Sequence, residues 1–217
     1  MRISEARWIS KTLLGLPPAE VSPLVNVGSS TGEFREVRQP HIDREVFAPL
    51  RAAKIQIVHA DLKSAPGVDV AGDLMDEGVQ ATLRARGCRT VLSSNLLEHV
   101  RDPRAFAGAM RALVPKGGYL VVTVPRSYPF HADPIDTGFR PTPDEIAELF
   151  PKVELVRGEI VEDTTYAREL IDQGPRKAVK KLLGALRPRG DAGRAQRDRL
   201  RWIARPFTTS CVVLRAT

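Results

Sequence analysis

Apolar positions along the chain fall into two rhythms. Residues 3–16 place Ile3, Ala6, Ile9, Leu13 and Leu14 at helical spacing, and Pro17-Pro18 stops that helix. Leu24–Val27 reads as a first strand. A helical start at "EFREVRQP" is interrupted by Pro40, and a second helical patch follows with Ile42, Val46, Phe47 and Leu50. "KIQIVHADL" predicts a second strand and "GVDVAGDL" a short third. Helical "EGVQATLRARG" leads into "RTVLSSNLL", a buried fourth strand ending near Ser94. "DPRAFAGAMRALVPKGG" is the clearest helix. Asp102 caps it, Pro103 suits its first turn, and Phe106, Met110 and Leu113 share one face. "YLVVTVP" predicts a fifth strand, "TPDEIAELFP" a capped helix, and "KVELVRGEIV" and "TSCVVLRAT" the last two strands.

Strands of nearly continuous apolar character, alternating with helices, predict an α/β fold whose mostly parallel sheet is covered on both faces. Such sheets bind ligands outside the carboxyl ends of their strands, where the strand order reverses. The informative loops are therefore 28–33, 59–62, 71–76, 93–100 and 125–140.

Composition narrows the class. The chain has 217 residues, 42% hydrophobic and 27% charged, which suits one sizeable domain spanning 1–217. No apolar run approaches the ~20 residues of a membrane span. The mixed-charge start, "MRISEARWISKTLLGLPPAE", argues against a signal peptide. Cys88 and Cys211 each adjoin a strand-like segment and lie outside any CxxC, so they read as buried reduced thiols of a cytoplasmic protein. The net charge is +7 and is unevenly placed. Residues 174–205 hold eleven Lys and Arg against Asp191 and Asp198, so the remainder is near −2.

The strand-end loops carry the chemistry. In "PLVNVGSSTGEF" the first strand enters a turn in which Gly28 and Gly32 bracket Ser29, Ser30 and Thr31. Asp61 closes the second strand, where a carboxylate accepts hydrogen bonds from ribose hydroxyls. Asp73 ends the third strand, placed to meet an exocyclic amine. Each Asp alone reads as a loop cap; acids in register at successive strand ends point to a nucleoside.

Taken together, "LVNVGSSTGEF", "VHADL", "VAGDLMD", "SSNLLEHVRDP" and "LVPKGGYLVVTVP" resemble a class I S-adenosylmethionine-dependent methyltransferase over roughly residues 22–160 plus the last strand. "RSYPFHADPIDTGFRPTPDEIAELF" is similar to a bacterial subgroup without an assigned substrate. The resemblance implies a Rossmann-like, seven-stranded, mostly parallel sheet with an antiparallel last strand and helices on both faces. It implies S-adenosylmethionine as cofactor and S-adenosylhomocysteine as product. It assigns Gly28, Ser29, Ser30 and Gly32 to the methionyl cradle, and Asp61 with Leu62 to the ribose. Asp73 and Leu74 fall to the adenine region, and Ser94 or Asn95 to the methionyl end. Two positions depart from the family pattern: Asn26, where Asp or Glu is usual, and Ser30, where Gly is usual. Asn26 keeps hydrogen bonds but brings no charge.

Methyl transfer from a sulfonium is an in-line displacement from an activated donor, so alignment and exclusion of water dominate. A hydroxyl acceptor also needs a base. His131, after the fifth strand, is the expected base or acceptor contact. His99, in "LLEHV", is a second candidate, with a structural hydrogen bond as its plainer reading. Tyr128, Asp133 and Arg140 are expected at the acceptor, although Arg140 equally suits an ion pair with an aspartate. His41 and His59 read as structural. The "NLLEH" run lacks the first carboxylate of a Glu-x-x-Glu-His metal motif, so no metal is expected. The basic segment, about 164–205, reads as a helical insertion: a solvated lid, a homodimer face, or a contact with an anionic surface through 174–205. The function expected is O-methylation of a small-molecule or glycan-type acceptor. The alternatives are an RNA or protein methyltransferase using that insertion, and a non-catalytic S-adenosylmethionine-binding or assembly protein.

Overall fold

The apolar runs become strands and the amphipathic stretches helices in a computed structural model that describes residues 1–130, 135–172, 174–176, 179–180, 200 and 202–217. In chain order the elements are α1 (Ile3–Leu14), α2 (Pro18–Val21), β1 (Leu24–Val27), α3 (Pro40–Ile42), α4 (Ala48–Ala52), β2 (Ile57–Asp61), β3 (Val70–Ala71), α5 (Glu77–Ala85), β4 (Thr90–Ser94), α6 (Pro103–Ala112), β5 (Tyr119–Ser127), α7 (Pro143–Ala147), β6 (Val153–Thr165), α8 (Tyr166–Asp172) and β7 (Pro206–Ala216). π-helical turns at Phe34–Arg38 and Asp43–Phe47 flank α3, and a 3₁₀ turn, Leu97–His99, follows β4.

The strands form one seven-stranded sheet in the order β3-β2-β1-β4-β5-β7-β6. Pairings from β3 through β5 are parallel, and β7 runs antiparallel to both of its neighbours. This is the Rossmann-like sheet expected. The strand order reverses between β1 and β4, so a crevice opens at their carboxyl ends.

Alternation along each strand supplies two cores. Val25, Val27, Leu120, Val122 and Val124 face one side, against Leu83, Met110, Leu113 and Ile146. Leu24, Tyr119, Val121 and Val213 face the other, against Ile9 and Leu13 of α1 and Val46, Phe47 and Leu50 of the 34–52 stretch. Both faces are apolar because both are covered by helices. Asp102 caps α6 through the Ala105 amide, and Thr142 and Glu145 form a reciprocal capping box on α7.

Pro40 interrupts the helical stretch as expected: Gln39 before it is non-helical, φ −129° and ψ 65°, and a separate helix, α3, starts at Pro40, in whose first turn no amide donor is needed. One boundary differs from the expectation. β6 extends to Thr165, paired along its length with β7, so the expected insertion begins at Tyr166 rather than 164. Much of 174–205 lies outside the described residues. The described part, α8, buries Tyr166 and Leu170 against Phe207. Cys88 and Cys211 are buried free thiols. Among the described residues, no helix is long and apolar enough to cross a membrane.

Candidate active site

A cleft of about 630 Å³ opens at the carboxyl ends of β1, β4 and β5, a volume ordinary for a small-molecule site. Its rim includes the start of α1, through Arg2 and Glu5, and the 34–52 stretch, through Phe34, Gln39 and His41. The cleft divides into two halves.

The first half is the glycine turn after β1. Gly28 has φ +70°, and a Cβ there would stand 2.7 Å from Leu96 Cδ2. Ser30 also takes a left-handed conformation, φ +54°, at the position where the family pattern has glycine. Its amide donates to Asp61 Oδ2 at 2.7 Å, and the Lys63 amide donates to Oδ1 at 3.0 Å. The turn's carbonyls are held by Arg35, which is buried. Its Nη1 donates to the Ser29 and Ser30 carbonyls at 2.9 and 2.7 Å, and its Nη2 to the Gly67 carbonyl at 2.6 Å. Arg35 thus ties the turn to the 66–67 bend. Gly32 packs on that bend: its amide donates to the Pro66 carbonyl at 2.9 Å, and an added Cβ would lie 3.2 Å from that oxygen. The two glycines therefore serve different ends. Gly28 keeps the cleft floor open, and Gly32 lets two backbones approach.

Asn26 sits on the floor with its Nδ2 3.2 Å from His59 Nδ1. Burial, together with the Arg35 guanidinium, pushes His59 down to about 4, so the ring is neutral and its Nδ1 accepts from the amide. An uncharged Asn26 matches this neutral neighbour.

The second half lies beyond β4 and β5. Asn95 is left-handed, φ +50°, and its Nδ2 donates to Glu5 Oε1 at 2.8 Å. Thr123 Oγ1 donates to the same oxygen at 2.6 Å, and the Arg2 amide donates to Glu5 Oε2 at 3.1 Å. Glu5 is fully buried. Glu98 is also fully buried and lines the cleft, yet neither carboxyl oxygen has a hydrogen-bond partner. Burial, with a lesser push from Glu5, drives its carboxyl up to about 8. The Glu98 carbonyl accepts from the Thr137 amide at 2.9 Å and the Thr137 hydroxyl at 3.0 Å. His99 Nδ1 meets the Ile135 carbonyl. The loop after β5 is thereby docked on the 97–99 turn.

Of the residues expected at the site, Asn26, Gly28, Ser29, Ser30, Asp61, Ser94, Asn95, His99 and Tyr128 line this cleft together. Gly32, Leu62, Asp73, Leu74 and Arg140 do not. Leu62 is 73% exposed, and Leu74 is buried in the core. Asp73 is exposed and accepts from the Met75 amide at 2.9 Å. Arg140 makes a two-toothed pair with Asp136, at 3.0 and 2.6 Å. His131 and Asp133 lie outside the described residues. Sequence reasoning missed Glu5, Arg35 and Glu98. The signal for Glu98 was an acid set inside the apolar run Leu96, Leu97 and Val100. Glu5 and Arg35 carried no local signal.

Among known proteins, the family model described as "Methyltransferase domain" matches residues 5–162. Among solved structures, the chain is similar to the [4+2]-cyclase SpnF at 16% identity, with a TM-score of 0.51 over 97% of this chain and 80% of that one. A Galdieria sulphuraria protein provisionally designated a sarcosine dimethylglycine methyltransferase matches at 12% identity, with a TM-score of 0.53 over 98% and 84%. Haemonchus contortus phosphoethanolamine N-methyltransferase 2, solved with phosphomonomethylethanolamine and S-adenosylhomocysteine, matches at 13% identity and a TM-score of 0.52. This chain is covered over 98% of its length there but spans only 52% of that enzyme. At these identities the likeness shows the fold alone. No curated protein sequence matches the chain.

Proposed function

The chain belongs to the methyltransferase-domain family, and from that premise we propose that its strand-end cleft passes a methyl group from S-adenosylmethionine to a small molecule. The chain is an S-adenosylmethionine-dependent methyltransferase. Which atoms of the cleft serve the donor, and which acceptor it takes, are our reading.

The observation that carries the reading is the linked turn: Ser30 amide to Asp61, with Arg35 on the turn's carbonyls. Each Asp61 oxygen has one backbone donor and keeps acceptor capacity for a ribose hydroxyl. Gly28 offers its backbone where a side chain would obstruct. Ser29, Ser30, Ser94, Asn95 and Asn26 are the polar groups within reach of a methionyl moiety, and Gly32 supports the turn from behind. Leu62, Asp73 and Leu74 flank the adenine end. The cofactor supplies a methyl group on a positively charged sulfur, already activated toward a nucleophile. The protein's own residues align the acceptor, exclude water and take up a proton.

The acceptor enters, in this reading, past Tyr128, whose ring packs 5.3 Å from that of Phe207. The sequence favoured a hydroxyl acceptor with His131 as base. Asp133 and Arg140 belong to the same loop, and Arg140 acts there as the partner of Asp136. His99 fastens that loop. Among the described residues that line the cleft, Glu98 carries buried carboxyl oxygens without a hydrogen-bond partner.

Calorimetry with S-adenosylhomocysteine tests the donor assignment. Binding that Asp61→Ala weakens supports it. Absence of binding to the wild-type protein overturns it.

A further inference from the structure

Glu98 and its surroundings define more than a generic acceptor space, and this step rests on the donor reading above. The side chain is fully buried, and both oxygens lack a hydrogen-bond donor. A buried, unsatisfied carboxyl costs stability, and a ligand that supplies donors recovers that loss.

Among the described residues, the groups around it give it no hydrogen-bond donor and little positive charge. Glu5, from α1, adds negative charge and is already saturated by Asn95, Thr123 and the Arg2 amide. Arg140, from the loop after β5, is paired with Asp136 of the same loop. His99 Nε2 stands 3.7 Å from Glu98 Oε1, close enough to pair with it when the ring is protonated but beyond hydrogen-bond reach. Two of the cleft's other cations are engaged elsewhere. Arg2 pairs with Asp163 and Glu169 at 2.8 and 2.5 Å, and Arg35 donates to three carbonyls. Lys63 is exposed, two residues past Asp61 on the donor side. The acceptor half therefore has an acidic floor. A hydroxyl would hydrogen-bond the protonated carboxyl and draw out no charge. An ammonium group favours the ionised carboxylate and supplies donors to its oxygens.

We propose that Glu98 is the acceptor-binding and proton-accepting group of an amine subsite, so that the enzyme's acceptor is a small molecule bearing a protonatable amine. One ammonium proton passes to the Glu98 carboxylate, and the nitrogen lone pair freed by that transfer forms the new N–C bond. As that bond forms, the carbon–sulfur bond breaks and its electron pair stays on sulfur. On product release the emptied Glu98 carboxyl keeps that proton, and binding of the next ammonium expels it to water. The position of Glu98 on the turn that carries the loop after β5 puts it on the acceptor side, beyond Ser94 and Asn95.

The test uses ethanolamine and its uncharged oxygen counterpart, ethylene glycol, as probes. Each is titrated calorimetrically into the full-length protein saturated with S-adenosylhomocysteine, at pH 7 in two buffers of different ionisation enthalpy. Wild-type protein is expected to bind ethanolamine in preference to ethylene glycol. It should release close to one proton per ethanolamine bound, because burial holds the empty Glu98 carboxyl protonated near neutrality. Glu98→Gln should weaken ethanolamine binding about 10–100-fold, the loss expected of a charge-assisted hydrogen bond, and abolish the proton release. Glu98→Asp should keep the proton release. S-adenosylhomocysteine affinity and the melting temperature of Glu98→Gln should not fall. Three results would overturn the proposal: equal or undetectable binding of the two probes, undiminished ethanolamine binding by Glu98→Gln, or a parallel loss of S-adenosylhomocysteine affinity, which would assign Glu98 to the donor. Failure of the wild-type protein to bind S-adenosylhomocysteine at all removes the donor reading itself, and is read in a separate titration.

Discussion

The two halves of the cleft treat their polar groups in opposite ways. Around the glycine turn the two charged side chains that shape it are committed: Asp61 to two amides, Arg35 to three carbonyls. Past β4, Glu98 is buried with no hydrogen bond to its carboxyl. The first arrangement is a preformed mould, in which a ligand adds bonds to groups already oriented. The second is an unsatisfied site, in which a ligand completes what the fold leaves open. A donor common to a whole family suits a rigid mould. An acceptor is distinguished by what a buried unpaired group will tolerate beside it.

Breaking the mould should have the largest effect. Arg35→Leu removes three charge-assisted hydrogen bonds from a buried guanidinium and should lower stability by about 3 kcal/mol, or several degrees in melting temperature. S-adenosylhomocysteine affinity should fall with it. A variant melting within a degree of wild type would mean the turn holds itself.

Relieving the unsatisfied site should have the opposite sign, and it depends on pH. The Glu98 carboxyl is raised from an ordinary value near 4.5 to about 8. Below pH 4.5 it is protonated whether the chain is folded or not, and contributes no difference. Between 4.5 and 8 the unfolded chain loses the proton and the folded one keeps it, so stability declines as pH rises, and the penalty is complete above 8. Glu98→Gln should therefore melt like wild type at pH 4 and above it at pH 9, by a margin on the order of 2–3 kcal/mol. Denaturant titrations at the two pH values check this; parallel curves would show that Glu98 is partnered in solution.

Asp61→Ala probes the mould at one point. It should weaken S-adenosylhomocysteine binding by about 1–3 kcal/mol. Asp73 sharpens the boundary. It is exposed and caps its own loop, so Asp73→Ala should cost about 0.5 kcal/mol of binding or less. A loss equal to that of Asp61→Ala would extend the mould out to the adenine edge beyond the cleft.

Much of this architecture was legible in the amino-acid order. The strands announced themselves as β-branched runs, and α6 by Asp102, Pro103 and its apolar face, because these signals are local. Asp61 and the turn at Gly28 were found from their places at strand ends. The amino-acid order was silent where a neighbour distant in sequence decides the packing. Gly32, assigned to the cradle, packs on Pro66, and Leu74, assigned to the adenine region, is buried in the core.

By itself, then, the sequence determined the α/β sheet, the crevice at its carboxyl edge and the family's donor, since periodicity and strand-end motifs are carried by residues close together in the chain. Only the tertiary structure decided how the charges in the crevice are used. Glu5 reaches Asn95 across 90 residues and Thr123 across 118. Arg35 closes on Gly67 across 32. Glu98 is left without a donor among the described residues because none of the described elements packed on it brings one. Whether a polar group is satisfied depends on every segment that surrounds it, and no local pattern records that sum.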